Sequence, residues 1–300
     1  MTLKNFKLFF TEALSETYPK TEIDSFFFIL IEEKLNLQRI DTVVQPNFLI
    51  EPNLVIELKE ITNRLLKEEP IQYLLKKTEF YGLPFTVNKH TLIPRPETEE
   101  LVTWCLSEIK ELKLPQLSRK LSILDIGTGS GCIPISIAKN TENTAISAID
   151  ISTKALKIAQ ENAALNKVVI NFIELDILKA KTLNLNSKEG LQEQSINVKI
   201  DMIISNPPYV RNLEKKEIQN NVLQNEPHLA LFVEDDNPLI FYTKIAELAK
   251  KHLHKNGLLF FEINQYLGEE TVSMLAQKGF KNIVLRKDFM GNDRMIKANL

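Results

Sequence analysis

The sequence predicts an α/β protein: a mostly parallel sheet covered by helices on both faces, preceded by a small helical bundle. Three observations predict it. From Leu121 onward, short apolar runs alternate with helical stretches; over residues 1–78, apolar residues recur only at helical spacing; and each polar motif of the second region falls at the end of an apolar run. Strands buried on both faces read as continuous apolar segments, as these do.

Taken in order, Ile23, Phe27 and Leu30, and then Leu54, Leu58, Ile61 and Leu65, mark helix faces, so residues 1–78 are expected to form a helical domain. Over residues 79–94 the pattern changes. "EFYGLPFTVNKHTL" sets Phe80, Tyr81, Phe85 and Val87 around a glycine and a proline, which predicts a short β-hairpin joining two domains. Residues 95–300 form the second domain, with strands at LSILDI, AISAID, VVINFIE, KIDMIIS and GLLFFEI and a last pair near IVLRK and RMIKAN. Helices are expected from Cys132, from Thr153 to Leu165 and from Leu239 to His254. The polar segment 181–199 reads as an exposed insertion. In open parallel sheets, ligands bind beyond the carboxyl ends of the strands, near the point where strand order reverses.

Three hundred residues, 44% apolar and 25% charged, suffice for a large domain plus a smaller one. A net charge of −2 excludes a protein that coats nucleic acid through many phosphate contacts, so no stable nucleic-acid binding is expected. Only Cys105 and Cys132 occur, which excludes a disulfide framework and a CxxC metal knuckle and points to a reducing cytoplasm. The longest apolar run, Phe26 to Ile31, is far short of the roughly 20 residues of a membrane span. His252 and His254 beside Lys255 and Gly257 compose a helix C-terminus, and His90 and His228 lack partners at metal spacing, so no metal is expected.

"LDIGTGSG" places Gly127, Thr128, Gly129, Ser130 and Gly131 between a strand and a helix, where glycines allow positive φ and close approach to a ligand. The spacing is G-x-G-x-G; a dinucleotide fingerprint would need a glycine where Cys132 stands, so the loop leans away from a pyrophosphate. Asp150 closes the second strand 23 residues after Gly127, and an acid there can accept both hydroxyls of a ribose. A tight strand-to-helix turn would use the same glycines, but the pairing with Asp150, and Asp125 before them, favours a nucleoside-type cofactor. Asp176 at the end of the third strand could face an adenine amino group, with Ile177 as an apolar wall, or be a solvated turn residue. Cys132 reads as a small apolar residue without a basic neighbour to activate it.

"IISNPPYV" ends the fourth strand on Asn206, Pro207, Pro208 and Tyr209. Two prolines lack the donors a central strand needs, so the chain must turn. Pro207 holds Asn206 extended, and the segment offers an amide and carbonyl oxygens suited to gripping an NH2 group. An amide nitrogen is a poor nucleophile because its lone pair is delocalised. Two acceptors on its N–H bonds, Asn206 Oδ1 and the Pro207 carbonyl, would localise that pair, while Tyr209 packs flat on the amide. Preorganisation of this kind supplies roughly 7 to 11 kcal/mol of a barrier where geometry is ideal. "RPETEEL" reads as a helix start with Pro96 at the first position and Glu97, Glu99 and Glu100 near the positive dipole end, or as part of the site; Arg95 suits either.

Together these residues resemble the class I S-adenosylmethionine-dependent methyltransferases, and NPPY resembles their amino-methylating branch. The chain more narrowly resembles the HemK/PrmC family across nearly its whole length, through "PIQYLL" at 70–75, "FYGLPFTV" at 80–87, "LIPRPETEEL" at 92–101, "LDIGTGSGCI" at 124–133, "NPPYV" at 206–210, "EP" at 226–227 and "KDFMGNDRM" at 287–295. The resemblance implies a Rossmann-like, mostly parallel seven-stranded sheet. It also implies methyl transfer from S-adenosyl-L-methionine, leaving S-adenosyl-L-homocysteine, to the side-chain N5 of the glutamine in the GGQ motif of class-1 peptide release factors. It assigns Gly127 to Gly131, Asp150, Asp176, Ile177 and Asn206 to the cofactor, and Asn206 to Tyr209 to the glutamine. The helical domain would grip the protein substrate, or serve as scaffold only. Ile177 departs from the aromatic that family members often carry, and "EINQYLG" at 262–268 departs from the usual glycine-containing version. The competing enzyme is an adenine-N6 methyltransferase on RNA or DNA, which calls for a basic path this chain does not show.

Overall fold

A computed structural model describes residues 1–111, 119–185 and 199–300. The chain forms two compact units: Met1–Lys76 with Gln219–Asn225, and Lys77–Ile218 with Glu226–Leu300. The first unit holds α1 (Leu3–Leu14), α2 (Lys20–Leu35), α3 (Asp41–Val44), α4 (Pro52–Leu65) and α5 (Ile71–Leu75). Thr2 caps α1 by accepting the Asn5 N–H at 3.2 Å, Asn36 in the left-handed region ends α2, and Pro52 opens α4. Phe6, Phe10 and Phe27 meet as tilted rings 5.7 to 6.0 Å apart, in one core with Leu30, Leu58, Ile61 and Leu65. Within this unit Asn225 Nδ2 donates to the Glu68 carbonyl at 3.1 Å.

The second unit opens with a hairpin, β1 (Thr78–Phe80) and β2 (Leu83–Phe85), whose two turn residues, Tyr81 (φ 54) and Gly82 (φ 69), have the positive φ that matches strand twist. Phe80 and Phe85 bury in the same core as α6 (Pro96–Glu111). Then follow β3 (Leu121–Ile126), α7 (Cys132–Asn140), β4 (Thr144–Asp150), α8 (Thr153–Leu165), β5 (Asn171–Glu174), β6 (Ile200–Ser205), β7 (Val210–Arg211), α9 (Asn220–Asn225), α10 (His228–Leu231), β8 (Phe232–Val233), α11 (Ile240–His252), β9 (Leu253–Glu262), α12 (Gly268–Gln277), β10 (Lys281–Lys287) and β11 (Asp293–Asn299). Of these, α9 is the segment that belongs to the helical unit.

Among the described residues, seven strands form the main sheet in the order β10-β11-β9-β6-β3-β4-β5, parallel except at β11. Strand order reverses between β3 and β6. Side chains alternate across the sheet: Leu124 and Ile126 of β3 face α11, while Leu121 and Ile123 face α6 and α7. This is the class I methyltransferase fold.

Two element boundaries differ from expectation. β5 begins only at Asn171, because it pairs with β4 alone, from Ser147↔Asn171 to Asp150↔Glu174, and Val169 is 95% exposed. α11 stops at His252, since Leu253 already pairs with Ile200, so His254 lies on β9 and not in a helix. His252 Nε2 accepts the Leu183 N–H at 3.0 Å. The insertion expected at 181–199 falls mostly on 186–198, outside the described residues. Among the described residues, no helix is long and apolar enough to cross a membrane, and no group of three His, Cys, Asp or Glu side chains is placed to hold a metal.

Candidate active site

Three strand ends meet at the reversal point. After β3 the chain turns through Gly127 (φ 78), Gly129 (φ 55) and Gly131 (φ 81), and the N–H groups of Gly127 and Thr128 both reach the Ile149 carbonyl of β4, at 2.8 and 3.0 Å. Asp150 then grips the loop. Its Oδ2 accepts the Gly129 N–H at 2.8 Å and its Oδ1 accepts the Ser152 N–H at 2.9 Å, which leaves each oxygen a second lone pair for a ligand. Burial raises the Asp150 pKa, and these backbone donors oppose the rise. Gly131 packs directly on α8: a Cβ there would stand 3.0 Å from Ile135 Cδ1 and 3.1 Å from Ala159 Cβ.

Beneath the loop lies Asp125, 1% exposed, with no hydrogen-bond partner among the described residues for either oxygen. The Thr128 hydroxyl, also unpartnered, tempers its charge from outside hydrogen-bond geometry; burial dominates and pushes the Asp125 pKa up to about 7. On the far wall, Asp176 pairs with Lys179 at 2.9 Å and accepts the Leu178 N–H at 3.0 Å, and the Lys179 contact leads in holding its carboxyl below the usual range. Ile177, 8% exposed, supplies an apolar surface beside it. Cys132 also reaches the wall, but burial pushes its thiol up to about 12, which leaves it protonated and inert.

Ser205 at the end of β6 donates to the Ile126 carbonyl of β3 at 2.7 Å, tying the two strands together where order reverses. Asn206, Pro207 and Pro208 follow and face the same cavity as the glycine loop; the Asn206 carbonyl is 3.8 Å from where a Cβ on Gly127 would stand. The cavity measures about 420 Å³ and is lined by Gly127 to Ser130, Asp150, Asp176, Ile177 and Asn206 to Pro208, a size typical of small-molecule sites. Gly131 and Tyr209 are not on its wall. The Tyr209 ring packs on the core, and its hydroxyl donates inward to Glu262 Oε1 at 3.1 Å.

Four side chains of this region escape sequence reasoning. Thr98, in the first turn of α6, accepts from Asn206 Nδ2 at 3.3 Å and donates to Glu262 Oε2 at 2.7 Å. Glu262, 1% exposed at the end of β9, therefore touches both Thr98 and Tyr209. Glu226, 4% exposed, accepts from Arg95 and from the Ile93 N–H, so Arg95 sits at the cavity wall already paired. Asn162 of α8 bonds both the N–H and the carbonyl of Thr86 and also the Ser130 carbonyl at 2.9 Å, linking the residue that follows β2 to the glycine loop. One signal was available for Glu262: it is an acid at a strand's carboxyl end, like Asp150.

Comparison with known proteins agrees with this geometry. Residues 109–230 match the methyltransferase small domain family model. A release factor glutamine methyltransferase of Flavobacterium psychrophilum is 52% identical over 100% of this chain and 99% of its own length, and one of Bacteroides thetaiotaomicron is 38% identical over 96% of each. Among solved structures, the hMettl16 catalytic domain in complex with a 3′UTR hairpin superposes with a TM-score of 0.52 at 16% identity, covering 84% of this chain and 82% of that one, and so shares the fold alone. With one relative matched end to end at half its residues, and a cavity in which glycine loop, acid and Asn206 to Pro208 converge, the chain belongs to the release factor glutamine methyltransferase family.

Proposed function

We infer that this chain transfers a methyl group from S-adenosyl-L-methionine to the side-chain N5 of the glutamine in the GGQ motif of class-1 peptide release factors. One observation carries the chemistry. Asn206 Nδ2 is engaged by Thr98, while among the described residues no donor reaches Asn206 Oδ1 or the Pro207 carbonyl, so two acceptors stand free at the cavity where an NH2 group can be held. The adenine-N6 reading is not favoured, since the RNA-bound structural neighbour shares the fold only and the relatives matched over their full length are named for release factor glutamine.

The residues present fit the cofactor. Gly127 and Gly129 leave the wall open where side chains would fill it, Asp150 keeps lone pairs for ribose hydroxyls, and the Thr128 hydroxyl on the cavity wall has no partner among the described residues. Gly127 to Gly131, Asp150, Asp176, Ile177 and Asn206 would hold it. When bound, S-adenosyl-L-methionine supplies a methyl carbon made electrophilic by its sulfonium. Asn206 Oδ1 and the Pro207 carbonyl would accept the two N–H bonds of the substrate amide and turn its nitrogen lone pair into the cavity. Water takes the proton lost afterwards, because an N-methylated amide cation is strongly acidic. Tyr209, held inward by Glu262, would stiffen the turn. We propose further that the helical unit docks the release factor.

The test is direct: incubate the protein with methyl-labelled S-adenosyl-L-methionine, a release factor, and that factor with its GGQ glutamine changed to alanine. Label is expected on the first factor only. Label on the altered factor, or on added RNA instead, would overturn the assignment.

A further inference from the structure

We propose that Thr98 and Glu262 are positioning residues that set the orientation of the Asn206 amide, so that a buried carboxylate decides which face of that amide meets the substrate. The proposal rests on the reading of Asn206 as the grip on the glutamine NH2. It follows from counting protons. A threonine hydroxyl has one hydrogen to give, and an ionised carboxylate only accepts. With Glu262 Oε2 at 2.7 Å, the Thr98 hydrogen is committed there, and Thr98 offers Asn206 only lone pairs. The amide must then present Nδ2 to Thr98, at 3.3 Å, and turn Oδ1 to the cavity.

The alternative orientation is unproductive. With the amide turned over, Oδ1 would face the lone pairs of Oγ1, and Nδ2 would meet the substrate's own NH2, donor against donor. Asn206 alone has nothing to choose between the two faces, since its oxygen and nitrogen are nearly the same size. The second oxygen of Glu262 is spent on the Tyr209 hydroxyl at 3.1 Å, and the Asn264 amide holds the Tyr209 carbonyl at 2.9 Å, so both ends of the four-residue turn are fixed from beneath. Thr98 is 2% exposed and Glu262 1%, which keeps water from substituting for either partner.

Three variants separate this role from a merely structural one. Thr98→Ser keeps the hydroxyl and is expected to turn over within about threefold of the wild type; Thr98→Val keeps the shape but not the hydroxyl and is expected to lose about 100-fold in kcat with cofactor affinity close to the parent, and to melt somewhat lower because Glu262 loses a buried donor. In an Asn206→Ala background, Thr98→Val should cost nothing further, because it acts only through that amide. Should Thr98→Val fail to fold, Glu262→Gln carries the test: its NH2 can donate to Thr98, which releases the hydroxyl hydrogen to Asn206 Oδ1 and favours the wrong face, so kcat falls at least as far. Full turnover by a folded Thr98→Val or Glu262→Gln protein would overturn the proposal, as would equal losses with and without Asn206. Full turnover by Asn206→Ala would instead overturn the grip itself.

Discussion

Asp125 is 1% exposed with neither oxygen bonded among the described residues, and burial lifts its pKa to about 7 from an ordinary value near 4. Between those values the unfolded chain releases this proton while the folded protein keeps it, so stability falls as pH rises through the window, by up to about 1.4 kcal/mol per pH unit. Below about pH 4 both states hold the proton and the effect vanishes. Asp125→Asn is therefore expected to flatten the profile and to make the cofactor-free protein more stable at pH 8, by roughly 1 to 3 kcal/mol in urea unfolding. Asp150 and Glu262 are shifted the same way, so the measured quantity is variant minus wild type. Identical slopes would mean that Asp125 ionises as freely folded as unfolded. The acids on the cavity were legible in the sequence because each follows an apolar run. Glu262 carries the same mark after Leu258 to Phe261, but its pairing with Thr98 was not legible, since the two meet across 164 residues and spacing along the chain says nothing about such pairs.

The glycine loop shows how an element's sequence answers to its neighbours. Gly129 and Gly131 both have positive φ, yet a Cβ on Gly129 would meet nothing within 4 Å, whereas one on Gly131 would press on Ile135 and Ala159. Gly129→Ala should therefore cost only the backbone preference, about 1 to 2 kcal/mol, while Gly131→Ala adds overpacking and reaches about 2 to 4 kcal/mol. Denaturant midpoints rank the two; a Gly131→Ala protein no less stable than Gly129→Ala would show that α8 yields to the added methyl. Strands and helices of this region were readable because apolar runs and punctuation coincide, as at Gly127 to Gly131. They were misread where pairing, not composition, sets the end: Val168 to Ile170 are as apolar as a strand but extend past the pairing of β4 with β5, and the basic run after His252 continues as a strand because Leu253 pairs with Ile200.

At the scale of the whole molecule, the chain crosses between its two units at Lys76 to Lys77, at Ile218 to Gln219 and at Asn225 to Glu226. A reading along the sequence sees one boundary near residue 78; it has no signal for a return 142 residues later, because seven residues of which only the adjacent Val222 and Leu223 are apolar carry no periodicity. This placement has a consequence for the site. The returning segment begins ten residues after Tyr209 and ends just before Glu226, whose carboxylate accepts from the Ile93 N–H and from Arg95 at the cavity wall. Removing residues 1–76 leaves that segment without the unit it belongs to, so residues 77–300 alone are expected to bind S-adenosyl-L-methionine several-fold more weakly, read by calorimetry. Docking makes a separate demand. If the helical unit grips the release factor, kcat/KM should fall by about 100-fold or more for the intact factor and much less for a short peptide carrying GGQ, because only the intact factor loses a contact surface. Equal losses on the two substrates would assign the helical unit to supporting the catalytic unit alone, and would leave recognition of the release factor to the sheet unit.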